Sequence, residues 1–353
     1  MIDTEAISLL QELIKTPSFS KEESVTAHLL EEFMNSKGCD VKRKGNNIWV
    51  KSRFFDPDKP SILLNSHHDT VKPNAGYTRD PFAPTIESGK LFGLGSNDAG
   101  GALVSLLATF LHYDKKEYAY NLIFAATAEE EISGQNGIES IKSDLGEIDF
   151  ALVGEPTQME MAIAEKGLMV LDGVTYGKAG HAARNEGENA LYKALDDIGW
   201  FKTYQFEKES EVLGPVKMSV TQIEAGSQHN VIPDQCSFVV DVRSTDSYTN
   251  EDLLKMIQSK VKSKITARST RLNPSSISKG HPIVKSGLAL GLSTYGSPTL
   301  SDQALLNCPS LKMGPGDSAR SHTADEYIYL DEIEEGITIY KRILQPLLNP
   351  KSE

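Results

Sequence analysis

Ile62-Leu63-Leu64-Asn65-Ser66-His67-His68-Asp69-Thr70-Val71 is an apolar run that turns polar as it ends. Its short aliphatic core predicts a buried strand, and its last residues are of the kind that carry chemistry. The pattern recurs downstream. Leu122 to Ala126 runs into Thr127-Ala128-Glu129-Glu130-Glu131, and Phe150 to Val153 runs into Gly154-Glu155-Pro156. A helical stretch from Gly101 to Tyr113 separates the first two. Strands alternating with helices predict an α/β fold with a mostly parallel sheet covered on both faces. Sites in such sheets form in the crevice at the carboxyl ends of the strands.

Upstream of this core, two helices are expected. The first starts near Asp3 or Thr4, carries Ile7, Leu10, Leu13 and Ile14 on one face, and stops before Pro17. Ser20 and Glu23 read as a capping box for the second, which runs to about Lys37 with Gly38 as its stop. The pattern changes after about Lys166. A strand from Leu168 to Tyr176, a helix from Asn189 to Tyr204, strands at Val216–Glu224 and Cys236–Arg243, a helix from Asn250 to Lys262 and a strand near Ile265–Thr270 follow. That β-α-β-β-α-β order is the ferredoxin-like one. Asn273 to Ser276 reads as the exit linker, after which Ser310–Met313 and a helix from about Asp331 rejoin the first sheet. The expected division is a catalytic domain at 1–166 and 280–353, interrupted by an inserted α+β domain at 167–279.

The 353-residue chain suits two domains. Hydrophobic residues make up 39% and charged residues 24%, an ordinary soluble composition. No apolar run approaches the roughly 20 residues of a membrane span, and the first residues lack a signal-peptide pattern. The net charge of −13, with no basic patch, argues against a nucleic-acid partner. Cys39, Cys236 and Cys308 are widely spaced and odd in number, so they read as free thiols in a reducing, cytoplasmic compartment.

Each chemical element has an unremarkable reading by itself. Asp98, after Gly93-Leu94-Gly95-Ser96-Asn97, reads as a helix cap. Three glutamates in a row read as a solvated surface. His322, at the end of Gly314-Pro315-Gly316-Asp317-Ser318-Ala319-Arg320-Ser321-His322, reads as an ordinary surface or core residue. Their coincidence at successive strand ends alters this. Carboxylates gathered in one crevice repel unless a cation neutralises them. Imidazole with carboxylate and no thiolate suits zinc, cobalt or manganese. The Gly93-x-Gly95 turn is not a dinucleotide fingerprint, because Asp98 stands where the third glycine belongs and would meet an anionic pyrophosphate.

The segments Ser66 to Val71, Gly93 to Gly101, Thr127 to Glu131, Gly154 to Thr157, Gly177 to Ala190 and Ser321-His322-Thr323 together resemble the dinuclear zinc aminoacylases and exopeptidases. That family includes acetylornithine deacetylase, succinyl-diaminopimelate desuccinylase and glutamate-releasing carboxypeptidases. The resemblance implies a zinc-exopeptidase-like catalytic domain with a ferredoxin-like lid and dimerisation insert. It implies two zinc ions, replaceable by cobalt, one held by His67, Asp98 and Glu155 and the other by Asp98, Glu131 and His322. Asp69 would support the His67 imidazole by accepting its remaining N–H. Glu130 would be the general base, although shifting the glutamate run by one would put Glu129 in play. His181 would reach the partner subunit's site across a homodimer, and Asn230 and Arg243 would help hold substrate. A cis peptide is implied between Asp98 and Ala99. Gly100 departs from the family pattern, which often has lysine there.

The implied reaction is hydrolysis of an N-acyl amino acid, with His181 donating to the developing oxyanion. The branch resembled, particularly at Val153 to Thr157, is acetylornithine deacetylase of arginine biosynthesis. N-acylcitrulline or succinyl-diaminopimelate deacylation and dipeptide cleavage are alternatives on the same scaffold. Lys166, Arg184, Arg243 and Arg320 are candidate cations for a substrate carboxylate. A non-catalytic binding protein of this fold is the alternative from another class, and loss of a ligand or the base would have marked it.

Overall fold

The computed structural model describes residues 2–349. In chain order the helices are α1 (Ile2–Lys15), α2 (Ser24–Ser36), α3 (Gly101–Tyr113), α4 (Ile138–Leu145), α5 (Ala190–Thr203), α6 (Asn250–Lys260), α7 (Pro282–Ala289) and α8 (Leu330–Leu348). The first strands are β1 (Val41–Lys44), β2 (Asn47–Lys51), β3 (Ser61–His67), β4 (Thr85–Glu87), β5 (Lys90–Phe92), β6 (Asn121–Thr127), β7 (Phe150–Val153) and β8 (Met161–Glu165). They are followed by β9 (Gly167–Tyr176), β10 (Lys217–Ala225), β11 (Gln235–Ser244), β12 (Lys264–Ala267), β13 (Ser275–Ser276), β14 (Thr294–Ser297), β15 (Ser310–Lys312) and β16 (Tyr327–Tyr329).

The chain divides into two compact units. One comprises the chain up to Ile163, Ser276–Tyr295 and the chain from Ser301 on; the other is Ala164–Ser275 with Gly296–Leu300. In the first, the sheet runs β1-β2-β6-β3-β7-β15-β8. Its centre is parallel, and the register aligns its carboxyl ends: His67 lies opposite Thr127, Asn65 opposite Val153, and Val153 opposite Lys312. The segments after His67, Thr127 and Val153 therefore leave the sheet along one edge. Central strands buried on both faces read as continuous apolar runs, and every residue of β3, β6 and β7 is buried. Helix α3 is buried almost all round, as expected of a helix enclosed by neighbours; it packs against α1, α8 and β3.

The second unit has the order expected of a ferredoxin-like sandwich. Its sheet runs β10-β11-β9-β12 with antiparallel neighbours. Burial alternates strictly along β9 and β11, so one face of the sheet is covered. Met169, Leu171, Phe201, Phe238, Val240, Val242, Leu253 and Ile257 form that core. Gly173 is needed there, because a Cβ would stand 2.4 Å from the Phe238 ring.

The Ser20–Glu23 capping box does not form. Helix α2 starts at Ser24 with no side-chain cap. Ser20 Oγ donates to Asp69 Oδ2 at 2.7 Å instead. Glu23 accepts from Lys21 N, Asn46 Nδ2 and Glu129 N at 2.6, 2.8 and 3.2 Å. Partners elsewhere, an acceptor for Ser20 and donors for Glu23, take both side chains away from the helix end. The strand expected to Thr270 stops at Ala267. The β1–β2 hairpin and the small β16-β5-β4 sheet had no clear sequence signature.

Candidate metal centre

The parallel register brings His67 to the end of β3, almost wholly buried. Its Nδ1 lies 2.9 Å from the backbone oxygen of Asp69 and 3.5 Å from that residue's carboxylate. For a proton on Nδ1 the Asp69 main-chain oxygen is the nearer acceptor, with the carboxylate of the same residue beside it. Bonding through Nδ1 leaves Nε2 as the lone-pair nitrogen. That Nε2 is buried with no hydrogen-bond partner. Around it stand Asp98 Oδ1 at 3.4 Å, Glu155 Oε1 at 3.8 Å and Glu130 Oε2 at 3.9 Å. An orphaned imidazole nitrogen facing three carboxylates fits a divalent cation, since buried polar atoms otherwise find partners. The adjacent His68 differs. Its Nδ1 meets Thr26 Oγ1 and its Nε2 meets the Asn46 carbonyl oxygen, both near 3 Å, and burial lowers its pKa to about 4. It is a neutral structural residue.

Asp98 arrives on the turn after Gly95, and its peptide bond to Ala99 is cis. Its other oxygen, Oδ2, lies 3.6 Å from His322 Nε2. The two oxygens of one carboxylate thus face two imidazoles. Gly100 is explained locally, because a Cβ would meet the Gly95 carbonyl oxygen at 2.4 Å and Leu10 at 2.5 Å. Glu326, which no motif singled out, is buried behind this turn. Its carboxylate accepts from Gly95 N, Asn97 N and Asp98 N.

The glutamate run turns sharply, with Glu129 in the left-handed region at φ 56°. Neighbouring side chains consequently diverge. Glu129 points to the following loop and accepts from Asn136 Nδ2 and Asn136 N at 3.0 and 3.3 Å. Glu130 points toward His67, and Glu131 Oε2 lies 2.9 Å from His322 Nε2. Asp69 fixes the bend: its two carboxylate oxygens accept from Glu130 N at 3.0 Å and Glu131 N at 3.2 Å. Asp302, also unforeseen, is buried beside the run and accepts from Thr127 Oγ1 at 2.6 Å.

Two sets of three side chains offer metal-competent atoms within 4.8 Å of one another: His67, Asp98 and Glu131, and His67, Glu130 and Glu155. His322 joins through Glu131 and Asp98. The five expected ligands thus converge, and Glu130 stands among them, in the second set with His67 and Glu155. The electrostatics suit a cation site. Burial, then the neighbouring Glu155, Asp302 and Glu131, raises the Glu130 carboxyl well above its usual range against the pull of His67. Glu155 rises to about 8 chiefly through burial, with Asp98 adding to it. His322 rises to about 9 through its bond to Glu131. Carboxylates crowded out of water hold protons that a divalent cation would replace.

In the second unit, His181 is exposed, and its Nδ1 accepts from Ala183 N at 3.1 Å. Asn230 lies alongside, its carbonyl oxygen accepting from Ala182 N at 2.9 Å. Arg243 is already paired with Asp241, through bonds of 2.9 and 3.1 Å. The other candidate cations are also engaged. Arg320 forms a two-pronged pair with Glu332 and lies over Tyr327 and Tyr329. Lys166 Nζ reaches the Pro215 carbonyl at 3.5 Å, and Arg184 lies 3.7 Å from Glu186.

The model of peptidase family M20/M25/M40 matches residues 63–345. A succinyl-diaminopimelate desuccinylase of Wolbachia pipientis subsp. Culex pipiens (strain wPip) is 24% identical over 378 aligned residues, covering 98% of this chain and 94% of the relative. An acetylornithine deacetylase of Proteus mirabilis (strain HI4320) is 25% identical over 359, covering 93% of each. The crystal structure of a tripeptidase from Staphylococcus aureus subsp. aureus Mu50 superposes with a TM-score of 0.75 at 21% identity, covering 97% of this chain and 98% of that one. With its α/β domain, inserted α+β domain and two adjoining sets of metal-competent side chains, the chain belongs to peptidase family M20/M25/M40 and is a zinc-dependent amidohydrolase.

Proposed function

We propose that the chain deacylates an N-acyl amino acid, with N-acetylornithine, an intermediate of arginine biosynthesis, as its substrate. The observation that carries the reaction is the buried, unpartnered His67 Nε2 among Asp98, Glu130 and Glu155. Support for an acylated amino acid, as opposed to a peptide, comes from full-length similarity to a desuccinylase and a deacetylase. Similarity to a tripeptidase favours peptide cleavage as the second reading. A panel of N-acetylornithine, N-acetylcitrulline, their succinyl analogues, succinyl-diaminopimelate, dipeptides and tripeptides, assayed with zinc or cobalt, tests this. A kcat/KM for peptides above that for every N-acyl amino acid would overturn it.

His67, Asp98 and Glu155 would hold one ion, and Asp98, Glu131 and His322 the other. Ions bound there supply Lewis-acid polarisation of the scissile carbonyl and of the attacking water. Glu130 takes a proton from that water and passes it to the amine nitrogen as the C–N bond breaks, so the same carboxylate is base and then acid. Asp69 keeps the Glu130 and Glu131 backbones in place. His181 is assigned to the oxyanion, and Asn230 and Arg243 to the substrate; Arg243 must then exchange its Asp241 partner for a carboxylate.

The second unit is assigned the lid role and a homodimer contact. It exposes Tyr192 and Leu195 one turn apart on α5, and Ile223 on the edge strand β10. Apolar side chains beside an open strand edge suit a second copy of the chain. Sedimentation of the wild type against Leu195→Asp tests it; a monomeric wild type refutes it. Among the described residues no helix is long and apolar enough to cross a membrane. Three free thiols favour a reducing, cytoplasmic compartment.

A further inference from the structure

Glu326 is almost wholly buried, and its carboxylate is held by backbone amides. Oε2 accepts from Gly95 N at 3.0 Å, and Oε1 accepts from Asn97 N at 2.8 Å and Asp98 N at 2.9 Å. Its own carbonyl oxygen accepts from Gly93 N at 2.9 Å. One residue thus holds the Gly93–Asp98 turn at four amides. Its place is fixed from the other side by β16, which begins at the next residue and pairs Tyr327 with Phe92. It also stands four residues after His322, on the same connection into β16.

We propose that Glu326 is a positioning residue of the metal centre, setting where the Asp98 carboxylate stands between His67 and His322. The inference rests on the reading of Asp98 as a ligand shared by two ions. A shared carboxylate has little freedom, because metal–ligand distances tolerate only about 0.2 Å. The Asp98 side chain leaves the Cα next to an amide that Glu326 holds directly, so loosening that hold moves the shared ligand first. His67, set by β3 and by the Asp69 carbonyl, is held independently. A purely structural role, by contrast, would satisfy the amides and stabilise the fold without affecting the ions.

The discriminating variant is Glu326→Gln, which keeps the shape but offers one acceptor oxygen and turns an NH2 toward an amide N–H. Metal-free wild type and variant are titrated with cobalt(II), following visible absorption and chelator competition, and melted without metal. The wild type should take two ions. In the variant, affinity for both ions should fall, by about 10–100-fold for the more weakly held one, with an altered cobalt spectrum. With zinc, kcat should drop and KM stay within about threefold. If Glu326→Gln does not fold, Glu326→Asp, which keeps the charge but shortens the reach, is put to the same readouts. A folded variant that binds both ions with wild-type affinity and spectrum overturns this inference alone. A wild type that takes no second ion overturns the shared-ligand reading and this inference with it.

Discussion

Glu129 and Glu130 are adjacent in sequence and opposite in surroundings, so paired substitutions separate their roles. In Glu129→Gln the remaining oxygen accepts from Asn136 N, and the NH2 donates to Asn136 Oδ1 once that amide turns over, so both bonds change from charged to neutral. Bonds to a charged group contribute about 1.5–3 kcal/mol and neutral ones about 0.5–1.5, so the loss is about 2 kcal/mol. For a unit of this size that is roughly a 4 °C fall in Tm. Turnover should stay within about threefold, since this carboxylate faces away from His67. Glu130→Gln removes the proton acceptor, and loss of general acid–base help costs about 10²–10⁴-fold, or about 2.7–5.5 kcal/mol in the barrier. Steady-state kcat and KM, metal content after desalting and thermal melts are measured for both. Glu130→Gln should retain two ions and lose turnover. The reverse pattern, with Glu129→Gln inactive and Glu130→Gln above about a tenth of wild-type activity, refutes the assignment. Loss of an ion from Glu130→Gln would make Glu130 a ligand.

His322→Ala should leave one tightly held ion and abolish turnover, read by metal analysis alongside kcat; two retained ions would remove His322 from the ligand set. His68→Leu should lower Tm, since the Asn46 carbonyl oxygen loses its partner and the Thr26 hydroxyl keeps only the Glu23 carbonyl, but keep two ions; loss of an ion would contradict its structural role. Asp197→Ala should destabilise the second unit by about 2–4 kcal/mol in denaturant melts, because Asp197 accepts from Lys262 N, Ser263 N and Ser263 Oγ. An unchanged midpoint would refute that.

Period and punctuation made most elements readable. Strands β3, β6 and β7 each contain an uninterrupted apolar run, and β11 alternates apolar with polar residues over most of its length, so their burial follows from residue order. The short hairpin at β1–β2 escaped, because Val41-Lys42-Arg43-Lys44 is largely exposed and polar. The second unit's order was legible, yet its last strand ends early. Arg268 turns out to grip Asp172 across the sheet, and no local pattern announces that. Ser20 and Glu23 show the opposite failure. Their spacing matched a helix cap, but Asp69 and Glu129, 49 and 106 residues away, compete for the same groups.

The same competition explains why the site was only half legible. Asp98, Glu130, Glu131 and Glu155 surround the imidazoles, whereas Glu23, Asp69, Glu129, Asp302 and Glu326 are buried close by and spend their oxygens on protein donors. As letters in a sequence the two groups are identical. What separates them is how many N–H and O–H donors the fold supplies within hydrogen-bond reach, and those donors, backbone and side chain, come mostly from other segments of the chain. A carboxylate with donors is satisfied and holds the chain still; one without them carries an unbalanced charge in a buried place and needs a cation. The second group makes the first possible. Four ionised oxygen donors repel one another, and loops carrying them would splay unless their backbones were tied down. Asp69 ties down the glutamate run and Glu326 the Asp98 turn. Removing a tie should therefore weaken cation binding without removing a ligand, whereas removing a ligand should leave the ties intact.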